Sequence, residues 1–520
     1  MTAVGLVSLS SLDGMRRAEN LLESSVHDFS SQVCRIYTIS MSKVILLCAA
    51  LTVFSAQAVA QQNSSPSPSP TPPQDLQTGV VIPKVQSATQ PEQSYALYIP
   101  SHYTREKRWP IVYVFDPFAR GDVPVELMKD AAERYGYIVA GSNNSQNGPL
   151  KASADAAQAM FRDTHARLSI DDNLVYLAGL SGGARLVFTL AQACKCAAGV
   201  LMNSAGFSPS SPPVAGGNFS VFGTAGAFDF NYPEVVNLDA KLATLHYAHA
   251  FSGFDGSHEW APASMMDEAL AWFRLIAMKQ DREPRDAEFV NEQAAEVEKR
   301  AKALEAAGDS YAAWKEYRQA AETFDGLGNA TPFRERAAAL EKVKAVRDGA
   351  KREQQDFEDQ STLSADIESG LASLRQYANR AEQRTQLEDQ IYQLRLRTQR
   401  EKNPQKLRVE RRALSGIFVG AMEAGEGRLD AKDVSAARDY FELACVADPD
   451  SVWALREVAV TRASDDNRKG ALEALRRAKE KTKDPAAFSA WLKDEPAFGK
   501  FRDTPEFRAL ITPSQAPVRQ

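Results

Sequence analysis

Between residues 79 and 280, short apolar runs typical of buried strands alternate with longer segments whose apolar residues recur at helical spacing. Strands are predicted at residues 95–100, 111–116, 137–140, 174–178, 197–203, 219–223 and 245–251. Helices are predicted at residues 125–134, 154–168, 184–191 and 264–278. Strands that alternate with helices favour a mostly parallel sheet covered on both faces, so the pattern predicts an α/β fold class for this part of the chain.

Beyond residue 280 the pattern changes to long, charged segments rich in Ala, Glu and Arg, which predict an all-α region. Within residues 413–512, one set of small and aromatic residues recurs with an offset of 34: Ala437, Tyr440, Phe441 and Ala444 return as Ala471, Ala474, Leu475 and Ala478. This period resembles tetratricopeptide repeats. A degenerate copy is predicted at 303–327, within a helical region at 285–412. An unrelated helical bundle is the alternative.

A hydrophobic segment near the N-terminus predicts export. A short basic start at Met41 precedes an apolar run at 44–54, which is short for a bilayer span, and residues 58–60 form an Ala-Val-Ala cleavage site. We therefore predict a signal peptide at 41–60 and a periplasmic or secreted protein without a stable transmembrane span in its mature form. An uncleaved N-terminal anchor is the alternative.

Two further segments flank this signal. Residues 1–40 precede it without the character of a targeting segment, and we interpret them as a gene-model extension. Residues 61–78, rich in Ser and Pro, predict an extended linker without a core of its own. The predicted folded region therefore begins near residue 79.

Composition and charge limit the classes of molecule that this protein is expected to bind. The 520 residues carry a net charge of −6, with 25% charged and 44% hydrophobic residues, which is ordinary for a soluble protein and gives no footprint for nucleic acid. Processing would leave Cys194, Cys196 and Cys445. The first two are only two positions apart, so we expect them to be unbridged, and they lack a second ligand pair at zinc spacing. No metal or cofactor is predicted.

The sequence Gly-Leu-Ser-Gly-Gly at residues 179–183 lies between the predicted strand at 174–178 and the predicted helix that follows. A serine on such a strand–turn–helix junction is exposed at the edge of the sheet, and Gly179 and Gly183 let the strand and helix approach closely. Residues 79–280 resemble the α/β-hydrolase family, in particular compact secreted esterases and dienelactone-hydrolase-like members. The resemblance implies that Ser181 is a nucleophile.

The same resemblance implies a histidine base and an acid later in the chain. His258 lies in a Gly/Ser-containing loop directly after the last predicted strand, where the family keeps its base. Asp229 follows the strand at 219–223, the position of the family's acid. The remaining histidines are assigned to the N-terminal extension, a surface turn, a helix and the last strand: His27, His102, His165, His246 and His249.

An oxyanion intermediate needs two backbone donors. Gly182 supplies one, and the second is expected in the loop after the strand at 111–116. Because Pro117 has no N–H group, Phe118 or Ala119 must provide it. Insertions between the strands are short, which predicts an open cleft that accepts an ester at the end of a larger molecule.

The sequence therefore predicts an exported, carboxylesterase-like serine hydrolase that acts on a small-molecule or polymer-linked acyl ester. Its helical repeats are expected to bind substrate or a protein partner. Two alternatives stay open: a catalytically silent hydrolase fold that serves as an interaction platform, and a serine peptidase or acyltransferase on the same fold.

Overall fold

A computed structural model of the chain describes residues 76–374 and 380–511. These residues form two compact units. The first extends to Val346, except for two short segments that group with the second unit, Ala227–Pro233 and Asp255–His258. The second unit consists of these two segments and the chain from Arg347 onward.

The predicted extension at 1–40, the signal peptide at 41–60 and most of the linker at 61–78 lie outside the described residues. In the parts of the chain that the structure describes, no helix combines the length and the apolar character that a bilayer span requires. The domain boundaries given above stay predictions.

The first unit is built on one eight-stranded sheet. Its strands are β1 (Val81–Gln86), β2 (Ser94–Tyr98), β3 (Trp109–Phe115), β4 (Ile138–Ser142), β5 (Ile170–Leu180), β6 (Gly199–Asn203), β7 (Ser220–Gly226) and β8 (His249–Phe254). They lie in the order β1-β2-β4-β3-β5-β6-β7-β8, and only the pairs that involve β2 are antiparallel.

Helices connect these strands and continue beyond them. They are α1 (Asp122–Tyr135), α2 (Leu150–Arg167), α3 (Gly182–Cys194), α4 (Tyr232–Thr244), α5 (Ala263–Lys279), α6 (Ala287–Ala306), α7 (Ser310–Phe324) and α8 (Thr331–Glu341). Helices α5 to α8 share a separate apolar cluster that includes Leu275, Phe289, Tyr317 and Phe324.

The central strands are apolar throughout because both faces of the sheet are covered. In β3, Ile111 and Tyr113 pack into one cluster, whereas Val112 and Val114 pack into the cluster on the opposite face. A strand buried on both sides needs apolar residues at every position, which explains the uninterrupted run in the sequence. The strand order, with an apolar cluster on each face of the sheet, is that of the α/β-hydrolase fold, so the predicted fold class is confirmed.

Three elements differ from the sequence-based assignment, and one of them is helix α4 (Tyr232–Thr244), which was not among the predicted helices. Strand β1 was not predicted, since Pro83 and Lys84 interrupt its apolar pattern; both are exposed at this edge strand, where proline is tolerated. The last strand begins at His249 rather than at residue 245. His246 therefore precedes the strand, in a turn with φ of 59°, and the prediction that it lies within the strand is wrong.

The cysteine prediction is also corrected. Cys194 and Cys196 form a disulfide. Lys195 between them adopts a left-handed conformation with φ of 53° at the end of α3, and this turn brings the two Cα atoms to 5.1 Å. Their spacing in sequence argued against a bridge because an extended tripeptide would hold the two side chains apart, but the turn removes that obstacle.

The second unit is helical apart from its two short segments. Its helices are α9 (Lys344–Ser373, which enters this unit at Arg347), α10 (Arg380–Arg400), α11 (Pro404–Asp430), α12 (Val434–Ala447), α13 (Val452–Ser464), α14 (Arg468–Lys481), α15 (Pro485–Asp494) and α16 (Pro505–Ile511). The predicted all-α region is thus confirmed. The recurrent residues face the core, since Ala437 and Phe441 of α12 and Ala471 and Leu475 of α14 are all fully buried.

Glu457 in α13 gives this unit a pH-dependent stability. Burial raises the pKa of Glu457 to about 7, with Arg456 opposing and Glu426 and Glu495 adding to the shift. Because this value lies above the unfolded value of about 4.3, ionisation is less favourable in the folded chain. Stability is therefore complete at low pH, decreases as the pH rises from about 4 to 7, and stays reduced above that.

We expect Glu457→Gln to raise the free energy of unfolding by about 2 kcal/mol at pH 8, less than the full pKa difference corresponds to because solvent screens this partly exposed side chain. The gain should shrink toward zero near pH 4.5. Urea titrations at the two pH values measure this difference. Replacement of the exposed Glu473 in α14 by Gln serves as the control and should be neutral at both. An equal gain for Glu457→Gln at both pH values would contradict the assignment.

Candidate active site

Ser181 occupies a sharp turn between a buried strand and a helix. It directly follows β5 and caps α3, with φ of 54° and ψ of −118°. Positive φ is unfavourable for a residue with a side chain, and such strain is retained where the surrounding structure enforces it, often at functional sites. The Ser181 N–H donates to the Asn203 carbonyl at 2.9 Å, which fixes the turn against β6.

The two flanking glycines are required by close backbone approach. A Cβ atom on Gly179 would lie 2.2 Å from the Gly183 carbonyl carbon, and one on Gly183 would lie 2.1 Å from the Phe115 carbonyl oxygen. Neither backbone group can move without displacing a central strand or the helix. The Gly-x-Ser-x-Gly pattern is therefore explained by packing at this junction, independently of any chemistry.

Asp229 and His258 contact each other within the second unit. Nδ1 of His258 lies 3.0 Å from Oδ1 of Asp229, and the carboxylate is fully buried while 16% of the imidazole is exposed. The same Oδ1 accepts the N–H of Asn231 at 2.8 Å. A buried carboxylate beside an imidazole fixes its tautomer and stabilises its protonated form, which is the arrangement that a general base needs.

Two other histidines also contact an aspartate, but in different parts of the first unit. His249 lies 2.6 Å from Asp239 and is the first residue of β8, so it sits at the amino edge of the sheet. Ser181 follows the carboxyl end of the parallel β5, at the opposite edge. His165 lies in α2 and contacts Asp172 at 3.2 Å, a hydrogen bond that lowers the pKa of Asp172.

Asn203, which sequence reasoning missed, fixes the chain immediately after His258. Its side chain is fully buried at the end of β6. Nδ2 donates to the Glu259 carbonyl at 2.7 Å, and Oδ1 accepts the Ala261 N–H at 2.8 Å. The sequence shows only an asparagine at the end of a strand, and its role could be recognised only once its burial was known.

Asp116, at the end of β3, was likewise missed. Its buried carboxylate accepts hydrogen bonds from Trp260 Nε1 at 2.8 Å and from two nitrogens of Arg120. It thereby connects the loop after β3 with the segment that follows His258. Because Asp116 is fully engaged in these contacts, it acts as a structural carboxylate of the first unit.

The loop after β3 contains the predicted oxyanion donors. The Phe118 N–H donates to the Asp116 carboxylate at 2.8 Å, and the Ala119 N–H donates to the Asp116 carbonyl at 3.3 Å. Ala119 also has a positive φ of 58°. In this conformation both N–H groups have partners within the loop, so the second donor stays a prediction. Gly182 begins α3, where helix geometry leaves N–H groups without partners inside the helix.

Arg185, on the first turn of α3, forms a paired contact with Glu234 of α4. One guanidinium nitrogen lies 2.9 Å from the carboxylate and the other contacts its second oxygen. Arg185 also donates to the Phe207 carbonyl at 3.1 Å, and Glu234 accepts the Gly206 N–H at 3.1 Å. This ion pair holds the loop after β6 against both helices, beside the strand–turn–helix junction at residues 179–183, which we call the elbow.

A cavity of about 230 Å³ lies beside the elbow, lined in part by Gly182, Gly183, Asn147 and Ser208. A larger cavity of about 820 Å³ lies between α5, α6 and α7 and contains none of the predicted site residues. Its lining carries three arginines and a larger set of carboxylates, which include Asp267, Glu268, Asp286, Glu292 and Glu316. The smaller cavity is lined by Gly182 and Gly183, which follow Ser181 directly, although Ser181 itself is not among its lining residues. Among the described residues, no group of His, Cys, Asp or Glu is arranged to hold a metal ion.

No protein-family model matches this chain, and no curated protein matches it in sequence. Among solved structures, the fluorophosphonate-binding serine hydrolase FphF of Staphylococcus aureus is similar at 14% identity, over 35% of this chain and 92% of that one, with a TM-score of 0.29. An esterase of Pyrobaculum calidifontis is 12% identical over 38% and 85%, with a TM-score of 0.31. A ferulic acid esterase is 16% identical over 35% and 91%, with a TM-score of 0.31. These similarities are distant, and the strand order itself identifies the fold.

Proposed function

We propose that this protein is a carboxylesterase-like serine hydrolase in which Ser181 is the nucleophile, His258 the general base and Asp229 the acid. The observation that carries the proposal is the buried Asp229–His258 hydrogen bond in a chain that also holds Ser181 in a strained elbow. The strand order supports it. Strands β5, β7 and β8 are parallel, and the three residues follow their carboxyl ends closely in sequence.

The proposed reaction has two stages. His258 removes the hydroxyl proton of Ser181, whose oxygen attacks the acyl carbon, and the protonated histidine then gives its proton to the departing alcohol as the ester C–O bond breaks. Water, deprotonated by His258, then attacks the acyl-enzyme; the bond between the acyl carbon and the Ser181 oxygen breaks, His258 returns its proton to that oxygen, and the acid is released. Asp229 holds the Nδ1 proton throughout, and Gly182, with Phe118 or Ala119, stabilises the oxyanion.

The cavity that is lined by Gly182 and Gly183, beside Ser181, supports a small acyl group. The adjacent cavity of about 230 Å³ is smaller than the sites that enclose drug-sized ligands, which are about 300–1,000 Å³. We therefore propose a short acyl ester, free or attached to a larger molecule. We also propose a periplasmic or secreted location. The region at 413–512 is proposed to form tetratricopeptide-like repeats that bind a partner or substrate, and the buried small residues of α12 and α14 support these repeats.

A fluorophosphonate probe tests the proposed function directly. We expect the intact chain to form one covalent adduct, mapped by mass spectrometry to the peptide that contains Ser181, because an activated serine attacks the phosphorus atom as it would an acyl carbon. Heat-denatured protein provides the control and should not react. A folded protein without an adduct would favour the interaction platform, and a subsequent comparison of ester and peptide substrates separates an esterase from a peptidase.

A further inference from the structure

The second unit joins its C-terminal helices to two short loops that carry the proposed acid and base. We name Ala227–Pro233 the acid loop and Asp255–His258 the histidine loop. Helices α9 and α11 of the same unit contact the acid loop through side chains that lie more than one hundred residues away in sequence. This arrangement places the geometry of Asp229 under the control of helices outside the sheet.

Arg412 of α11 holds both ends of the acid loop. Its Nε donates to the Ala227 carbonyl at 2.7 Å, and its guanidinium lies 4.0 Å from the centre of the Tyr232 ring. Only 5% of Arg412 is exposed, and burial lowers its pKa. A buried guanidinium that has a carbonyl on one side and an aromatic face on the other fixes two points of the chain, and Asp229 lies between them.

Helix α9 holds the middle of the same loop. Nε2 of Gln360 donates to the Phe230 carbonyl at 2.8 Å, and the hydroxyl of Tyr232 lies 3.4 Å from a carboxylate oxygen of Glu353. Helix α11 packs closely at this point as well, since a Cβ atom on Gly416 would lie 3.2 Å from Cβ of Phe230. The residues on both sides of Asp229 are therefore fixed by helices α9 and α11.

The acid loop in turn fixes the histidine loop. The Phe228 N–H donates to the Gly256 carbonyl at 2.9 Å, and the ring of Phe230 lies 4.5 Å from the His258 imidazole. Together with the Asp229–His258 hydrogen bond, these contacts couple the two loops as one body. A displacement of the acid loop would consequently alter the direction of the imidazole.

We infer that Arg412 and Gln360 are positioning residues for hydrolysis: they set the Asp229–His258 geometry, so that activity depends on the C-terminal helices. This inference rests on the proposed function and extends it. The helices would then be part of the catalytic machinery of the chain in addition to any role in binding partners.

The test is a set of substitutions in the full chain, measured by hydrolysis of a p-nitrophenyl ester. We expect Arg412→Met to lower kcat by about tenfold to a hundredfold with little change in KM, because a misplaced base weakens the transition state more than substrate binding. Arg412→Lys, which keeps a donor for the Ala227 carbonyl, should recover part of the loss. Arg462→Met is the matched control, since Arg462 is a partly buried arginine of α13 that binds Glu442 and the Gly470 carbonyl.

Gln360→Leu keeps the inference testable if Arg412→Met fails to fold. It changes no charge, so a shift of the acid limb of the kcat/KM profile toward lower pH would report a weakened contact between Asp229 and the imidazole. Unchanged kcat and pH profiles in Arg412→Met and Gln360→Leu, or an equal loss in Arg462→Met, would overturn the inference alone. Wild-type activity no greater than that of Ser181→Ala would overturn the proposed function and the inference with it.

Discussion

Ser181→Ala is expected to reduce kcat/KM for short p-nitrophenyl esters by about a thousandfold or more, a loss of about 4 kcal/mol in transition-state stabilisation. The substitution removes the only oxygen that can form the acyl-enzyme in the proposed mechanism, whereas the backbone donors of the elbow remain. Residual hydrolysis above the uncatalysed rate would come from those donors and from substrate binding. Steady-state kinetics on purified full-length protein measure the effect.

Two controls separate chemistry from folding. Ser369→Ala alters an exposed serine of α9 that lies outside the proposed triad and outside the cavity beside the elbow, and it should retain activity within about twofold. Circular dichroism should be unchanged in Ser181→Ala, because alanine keeps the backbone hydrogen bond from residue 181 to the Asn203 carbonyl. Equal activity of wild type and Ser181→Ala would reject the nucleophile assignment.

Much of the fold could be predicted because its central strands are buried on both faces. Burial on both faces requires the continuous apolar runs at 111–115 and at 174–180, and such runs can be recognised in a single sequence. Edge strand β1 could not be predicted for the opposite reason. It is half-exposed and contains Pro83, so its residues do not form the apolar run by which the buried strands are recognised.

The elbow was predictable because its requirements are local. Gly179 and Gly183 are required by contacts across a single turn, and the sequence around Ser181 shows both the strand and the helix. The disulfide was missed through an equally local feature, the left-handed turn at Lys195, which leaves no mark in the residue type. A lysine with positive φ is unusual, and only the path of the chain imposes it.

The contacts of Asn203, Asp116 and Arg412 could not be predicted because they join distant parts of the chain. Arg412 lies in the charged stretch at 400–412, and charged stretches usually form solvated helix faces, yet its guanidinium is buried against the acid loop. From sequence alone a charged residue is predicted to be exposed, unless the partner that it contacts is known. The proposed catalytic machinery therefore includes residues outside the sheet. A helical region that resembles an interaction module contacts the acid loop through Arg412 and Gln360.

Asp229→Asn is expected to lower kcat by about a hundredfold to ten-thousandfold with KM nearly unchanged. Asparagine fills the same buried space but can present an N–H to Nδ1 of His258, which favours the tautomer whose Nε2 carries the proton and cannot accept one from Ser181. The neutral amide also lacks the negative charge that stabilises the imidazolium. The loss should appear in kcat because this interaction strengthens as the imidazole becomes charged.

The chain provides a matched control for this substitution. Asp239→Asn disrupts a second aspartate–histidine contact, 2.6 Å long, at the amino edge of the same sheet. It should leave kcat within about twofold of wild type, although it can lower the free energy of unfolding by about 1–3 kcal/mol because a hydrogen bond to a charged group is lost. Comparable losses of kcat in the two variants would show that an aspartate–histidine pair supports this fold wherever it occurs, and would remove Asp229 from the mechanism. A loss confined to Asp229→Asn ties catalysis to the pair that the helices hold.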